Sequence, residues 1–167
     1  MQLRLDSSHA VTPLVQTPFS ERNGEVSPDG RWLAYEADDS GRYEIYVRPF
    51  PDVAGGHCQV STDGGTRPLW AQNGQELFYL APPRTLMRVG VARGPRWAAT
   101  APMKLFEGPY GAARFHFGRT YDVSPDGRRF LVIKGSAAGD QNATPATMVV
   151  VLNWLEELKQ LVPTSRN

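Results

Sequence analysis

The sequence predicts an all-β chain assembled from short strands, on three observations. Glycine and proline are frequent, 16 and 14 residues in 167, so a long helix would be interrupted every few residues. The segment Val26-Ser27-Pro28-Asp29-Gly30-Arg31-Trp32-Leu33-Ala34-Tyr35 returns as Val123-Ser124-Pro125-Asp126-Gly127-Arg128-Arg129-Phe130-Leu131-Val132. A diverged copy, Trp70-Ala71-Gln72-Asn73-Gly74-Gln75-Glu76-Leu77-Phe78-Tyr79, lies between them. Each copy reads as strand, tight turn, strand. Proline presets φ at the second turn position, aspartate suits the third, and glycine accepts positive φ at the exit.

The turns recur at residues 27, 71 and 124, spacings of 44 and 53 residues. A four-stranded propeller blade repeats about every 40–45 residues, and one extra loop at 93–102 would account for the longer interval. Taken in order, strands are expected at 3–5 and 14–16, in an incomplete blade over 1–20. Two complete blades follow at 21–62 and 66–108. In the first, Tyr43, Ile45 and Val47 alternate with Glu44, Tyr46 and Arg48, the period of a strand. A three-stranded blade is expected at 115–152, interrupted by a small-residue excursion at 135–145. The fold class is therefore all-β, a partial β-propeller of about three four-stranded blades, in one domain over 1–167.

The C-terminus changes character. Asn153 and Glu156 form a capping-box pattern, and Leu155, Leu158 and Val162 share one helical face before Pro163. A short C-terminal helix at 153–162 follows, either docked on a blade or presented to a partner.

Composition excludes several classes. Eighteen basic against 17 acidic residues leave a formal charge of +1, which argues against general attraction to nucleic acid or an anionic membrane. A single cysteine, Cys58, excludes an internal disulfide and a multi-cysteine zinc site. The longest apolar run, 148–152, is far shorter than the ~20 residues of a membrane helix. Residues 1–6 lack the apolar region of a signal peptide. The expectation is a soluble protein without membrane insertion, in a compartment that composition does not fix.

The repeated Ser-Pro-Asp-Gly turns, followed by Arg31-Trp32-Leu33-Ala34-Tyr35 and Arg128-Arg129-Phe130-Leu131-Val132, resemble the TolB-like, WD-type β-propeller repeat. Val151-Leu152-Asn153-Trp154-Leu155-Glu156-Glu157-Leu158-Lys159 resembles the end of propellers fused to bacterial serine/threonine kinases. Asp63-Gly64-Gly65-Thr66 and Phe106-Glu107-Gly108-Pro109-Tyr110 fit the same order. The resemblance implies a sensor or interaction module of the bacterial cytoplasm or periplasm, often outside the membrane. The chain departs from it in having about three blades where six or more are usual. It carries no kinase Gly-rich loop, His-Arg-Asp or Asp-Phe-Gly.

Arginines recur just before the first strand of each repeat: Arg22, Arg67 and Arg119 lie eight, seven and eight residues before the turn glycines. Inner strands line a propeller's channel, so these arginines are the candidate ligand-binding residues at its mouth. Guanidinium groups converging there suit a small anion or a peptide carboxylate. The plainer alternative is ion pairing with Glu21, Glu25 and Asp122. Trp32, Trp70 and Tyr121 read as core. His9, His57 and His116 form no metal-ligand spacing, Asp38-Asp39-Ser40-Gly41 reads as a hairpin turn, and no nucleophile elbow occurs. No catalytic residue, metal ligand or cofactor is assigned.

Two functions are in play. One is a non-catalytic, possibly sensory module that binds a protein, a peptide or a small anion at the channel mouth. The other is a small propeller hydrolase or lactonase using a metal in the channel. Because about three blades cannot close a ring, a homodimer completing a six-bladed ring is also expected, with a strand near 14–16 available for exchange.

Overall fold

A computed structural model describes residues 1–3, 5–7, 9–108 and 118–133. The described residues are all-β. They form four antiparallel sheets: β1 (Gln2–Leu3) with β2 (Val11–Thr12), a first four-stranded meander, a second one, and a final hairpin. The first meander runs β3 (Glu21–Val26), β4 (Trp32–Ala37), β5 (Glu44–Pro49) and β6 (Cys58–Gln59). The second runs β7 (Thr66–Trp70), β8 (Glu76–Ala81), β9 (Thr85–Gly90) and β10 (Met103–Glu107), and the hairpin pairs β11 (Tyr121–Val123) with β12 (Phe130–Val132). In both meanders each strand pairs with its neighbour in sequence.

The repeated turns have the expected geometry. Gly30, Gly74 and Gly127 adopt φ of +71°, +67° and +70°, and each donates its N–H to the first turn residue's carbonyl. The serine does more than begin the turn. Ser27 Oγ donates to Asp29 Oδ1 at 2.6 Å and accepts from Trp32 N at 3.0 Å. Ser124 repeats this with Asp126 and Arg129 N. The Ser27 hydroxyl holds the Asp29 carboxyl below its ordinary range, with the Arg31 guanidinium adding to it. In the middle copy, Asn73 supplies the side-chain acceptor, to Gln75 N at 2.8 Å.

Strand periodicity sorts the side chains between layers. On β4, Trp32 and Ala34 face one core, with Ile45 and Val47 of β5 and Trp70, Leu77, Tyr79 and Val89 of the second meander. Leu33, Tyr35 and Ala37 face the opposite way, together with Tyr46. On β8, Phe78 and Leu80 point to a second core shared with Tyr121, Val123, Phe130 and Val132 of the last hairpin. Both faces of β4 are buried because sheet or loop covers each of them, so its alternation separates two cores and not core from solvent. Trp97, on the loop after β9, stands edge-on to Trp32 and Trp70 at 5.3 and 6.2 Å. This loop lies in the longer of the two repeat intervals.

The connection between the two meanders is held by a buried carboxylate. Glu44 accepts from Gly64 N at 2.8 Å and from Arg42 Nε at 2.9 Å, and Ser61 Oγ donates to its other oxygen. Gly64 takes a φ of +91°. A Cβ on Gly65 would lie 2.8 Å from Ile45 Cγ1 and nearer still to Ser61 Oγ. The pair Gly64-Gly65 is thus required by a close approach of backbone to side chains.

Near the N-terminus the structure departs from expectation. Strands form at Gln2–Leu3 and Val11–Thr12, and residues 14–16 are not a strand. Pro13 has no N–H to continue the ladder after β2. Leu14 and Val15 instead pack against the outward core of Leu33, Tyr35 and Tyr46. The helix expected at 153–162, the excursion at 135–145 and most of the strand-bearing segment expected at 115–152 lie outside the described residues. No helix among the described residues is long and apolar enough to cross a membrane.

Candidate binding site at the first strands of the repeats

Arg22, Arg67 and Arg119 come from three successive repeats and are linked through one polar network. At its centre is Glu36, on β4 opposite Arg22 in the strand register. The Glu36 side chain is fully buried (0% exposed). One carboxylate oxygen accepts from Arg22 Nε at 2.7 Å. The other accepts from Asn23 Nδ2 at 2.6 Å and from the backbone N–H of Arg67 at 2.5 Å. The Arg22 guanidinium also lies over the Tyr43 ring, 3.5 Å from its centroid, a stacking that favours a planar cation.

Arg67 differs from the other two. It stands seven residues before its turn glycine, which makes it the equivalent of Asn23; the equivalent of Arg22 and Arg119 is Thr66. Asn23 and Arg67 both have positive φ, +50° and +57°, and both sit where the first strand of the meander slips register against the second. Asparagine tolerates this region and arginine rarely adopts it. The surroundings fix Arg67: its N–H meets Glu36, its carbonyl accepts from Tyr121 Oη at 2.6 Å, and its Nε donates to Gly118 O at 2.9 Å. Tyr121 is buried, and burial pushes its hydroxyl well above the usual tyrosine range; it serves as a neutral donor.

Arg119 pairs with Glu25 on β3 through its guanidinium and a carboxylate oxygen. The other Glu25 oxygen receives Trp70 N at 3.3 Å, and the Glu25 carbonyl receives Trp70 Nε1 at 3.1 Å. Burial raises the Glu25 carboxyl above its ordinary range, with the Arg119 charge opposing that shift. Gly118 N closes the circuit on Asn23 Oδ1 at 3.3 Å. The first strands of the three repeats, β3, β7 and β11, are thereby joined by side chains that reach from one repeat into the next.

Of the three acidic partners expected from sequence neighbourhood, Glu25 is the partner of Arg119. Arg22 is paired with Glu36, 14 residues away. Glu36, Asn23, Tyr43 and Tyr121 belong to the same network, and sequence neighbourhood did not single them out. A carboxylate at an otherwise apolar strand position, in Leu33-Ala34-Tyr35-Glu36-Ala37, was the available signal, because a buried charge requires a partner. In this network Arg119 is more open than Arg22, with 41% of its side chain exposed against 18%. The arrangement offers a partly exposed guanidinium beside two that are held rigidly.

His57 lies elsewhere. His57 Nε2 is 3.6 Å from Asp39 Oδ2, and its ring stands edge-on to Tyr46 at 5.0 Å. The Tyr46 hydroxyl is pushed up to about 12, by burial first and then by Asp39. Asp38-Asp39-Ser40-Gly41 forms the expected turn, with Gly41 N bonded to Asp38 O at 2.9 Å. His116 lies outside the described residues. Comparison of the chain with protein-family models and with curated proteins gives no significant match to either.

Proposed function

We propose that the repeats are successive blades of a TolB-like propeller, and that the chain is a non-catalytic binding module. Its ligand carries an anionic group, a peptide carboxylate or a small anion, received where Arg22, Arg67 and Arg119 converge. The observation that carries this reading is the linkage of those arginines, one from each repeat, through Glu36, Gly118 and Glu25 into one polar network. Arg22 and Arg67 are preorganised by the framework, which lowers the ordering cost of a ligand. Arg119 is the exposed donor. A ligand carboxylate would compete with Glu25 for it, and Glu25 is a desolvated partner whose ionised form is disfavoured.

The test is titration with a short peptide bearing a free C-terminal carboxylate, followed by calorimetry. Arg119→Ala should abolish binding while leaving the far-ultraviolet circular dichroism spectrum unchanged, and amidation of the peptide terminus should have the same effect. Unaltered affinity in Arg119→Ala would reduce the arginines to structural ion-pair members.

A further inference from the structure

A second polar pocket opens on the first meander, and none of its lining residues belongs to the arginine network. Its volume is about 340 Å³, and Asp39, Ser40, Tyr46, His57 and Gln59 line it. Two connections bring these residues together. The Asp38-Asp39-Ser40-Gly41 turn joins β4 to β5 and carries Asp39 and Ser40, and the segment after β5 returns through His57 to Gln59 on β6. Tyr46 and Gln59 are partners in the register of β5 and β6. Side chains directly opposite on antiparallel strands share one face, so the tyrosine and the amide reach the pocket together.

What the pocket lacks is donors. Gln59 Nε2 donates to Ser61 O at 2.8 Å, which leaves Oε1 as the free end of the amide. Ser40 Oγ donates to Arg42 O at 3.2 Å, which leaves its lone pairs. His57 Nε2 and Asp39 Oδ2 are 3.6 Å apart, too far for a hydrogen bond, and a neutral imidazole carries an acceptor nitrogen. Asp39 Oδ1 is buried and has no hydrogen-bond partner, so this carboxylate has given up water without receiving a donor in exchange. An acceptor is left open on each of these four side chains. The charge has the same sense. Neither lysine nor arginine lines the pocket. Arg42 is committed to Glu44 and Thr62 O, and Arg48 to the Tyr35 hydroxyl and Val53 O. Burial first, then Asp39 and Glu44, push the Tyr46 hydroxyl up to about 12, the direction that a negative surrounding gives.

We propose that this pocket binds a primary alkylammonium group, with Asp39 as its counter-ion and Ser40, His57 and Gln59 as neutral acceptors. An ammonium brings one positive charge and three rotatable donors, the complement of what the pocket leaves open. Asp38 does not compete for the role of counter-ion, because its Oδ1 already accepts from Ser20 N at 2.9 Å. A carboxylate or phosphate would meet Asp39 and an acceptor-rich wall, so the pocket selects the opposite charge from the arginine cluster. The same chemistry can arrive as the end of a lysine side chain or as a free alkylamine.

Titration of the full chain at constant pH, followed by the NMR signals of the His57 ring, tests this. Nα-acetyl-lysine methylamide carries the ammonium and no carboxylate, so it leaves the arginine site empty; cadaverine represents the free amine. At least one of the two should shift the His57 signals saturably, and the tighter of them identifies the source. Acetylating the lysine probe on its side-chain nitrogen removes the charge and should abolish the shift. Asp39→Asn should weaken binding about 10–100-fold, the loss of a charge-assisted hydrogen bond. Gln59→Ala, at an exposed position, should weaken it about three- to tenfold. Asp39→Asn removes a carboxylate whose Oδ1 has no partner, so it should melt no lower than the parent; if it fails to fold, Gln59→Ala carries the test. The proposal is overturned by the absence of a saturable shift with both amines, by an acetylated probe that binds equally well, or by unchanged affinity in folded Asp39→Asn or, in its place, in Gln59→Ala. Arg119→Ala should leave amine binding intact, and Asp39→Asn should leave binding of the carboxylate peptide intact, so the two sites fail independently.

Discussion

Removing the Glu36 carboxylate should loosen the first strands of the repeats from one another. Glu36 is buried and accepts from Arg22, Asn23 and the Arg67 backbone. Breaking a buried ion pair by deleting one partner costs about 3–5 kcal/mol. Arg22 retains 18% side-chain exposure and its place over Tyr43, so water can recover part of its solvation and the charged contact contributes about 1.5–3 kcal/mol. The stranded N–H of Arg67, at a residue already held with positive φ, adds about 1–2 kcal/mol. Glu36→Ala should therefore lose about 3–4 kcal/mol, a large part of the ~5–15 kcal/mol that holds a typical domain together. Glu36→Gln keeps an acceptor for Arg67 but turns an amide toward the Arg22 donor, and should lose about 2 kcal/mol. Glu107→Gln, which removes an exposed pair with Lys104, should change stability by less than about 0.5 kcal/mol. Urea unfolding followed by tryptophan fluorescence reads all three, since Trp70 adjoins the network through Glu25. A Glu36→Ala loss below about 1 kcal/mol, the size of an ordinary substitution, would refute the claim that this carboxylate ties the repeats together.

Two further outcomes follow from local geometry and charge. Gly65→Ala must push against Ser61 and Ile45 and should lose about 1–3 kcal/mol, whereas Gly30→Ala meets nothing within 4 Å and should lose only the ~1 kcal/mol of positive-φ strain; thermal melting of the pair checks the order. Asp29 is held below its ordinary value of 3.8 by Ser27, so the folded state binds that proton less tightly than the unfolded state. Its contribution to stability is present above 3.8 and is lost as pH falls below it. Glu25 has the opposite sign: raised above 4.5 by burial, it favours the folded state when protonated, and that contribution is lost as pH rises through its folded value. Asp29→Asn should flatten the acid limb of a stability–pH profile below 3.8, and Glu25→Gln should flatten the segment just above 4.5.

The sequence by itself determined the repeat and its turns. Ser-Pro-Asp-Gly encodes its own geometry through local bonds, so Gly30 and Gly127 could be assigned positive φ without knowing what surrounds them. Period-2 alternation likewise placed Ile45 and Val47 on one face and Tyr46 on the other. The partners of the charged side chains were decided only by tertiary structure. Arg22 pairs across the register with Glu36, and Arg67 is fixed by Glu36 from the first meander and by Tyr121 from the last hairpin. A buried charge is satisfied by whatever group the packing of strands brings within about 3 Å, and that distance has no counterpart in sequence spacing. The same holds at residues 14–16. Their apolar pattern is that of a strand, but a strand needs a neighbour with free backbone groups, and here Leu14 and Val15 find an apolar surface to cover.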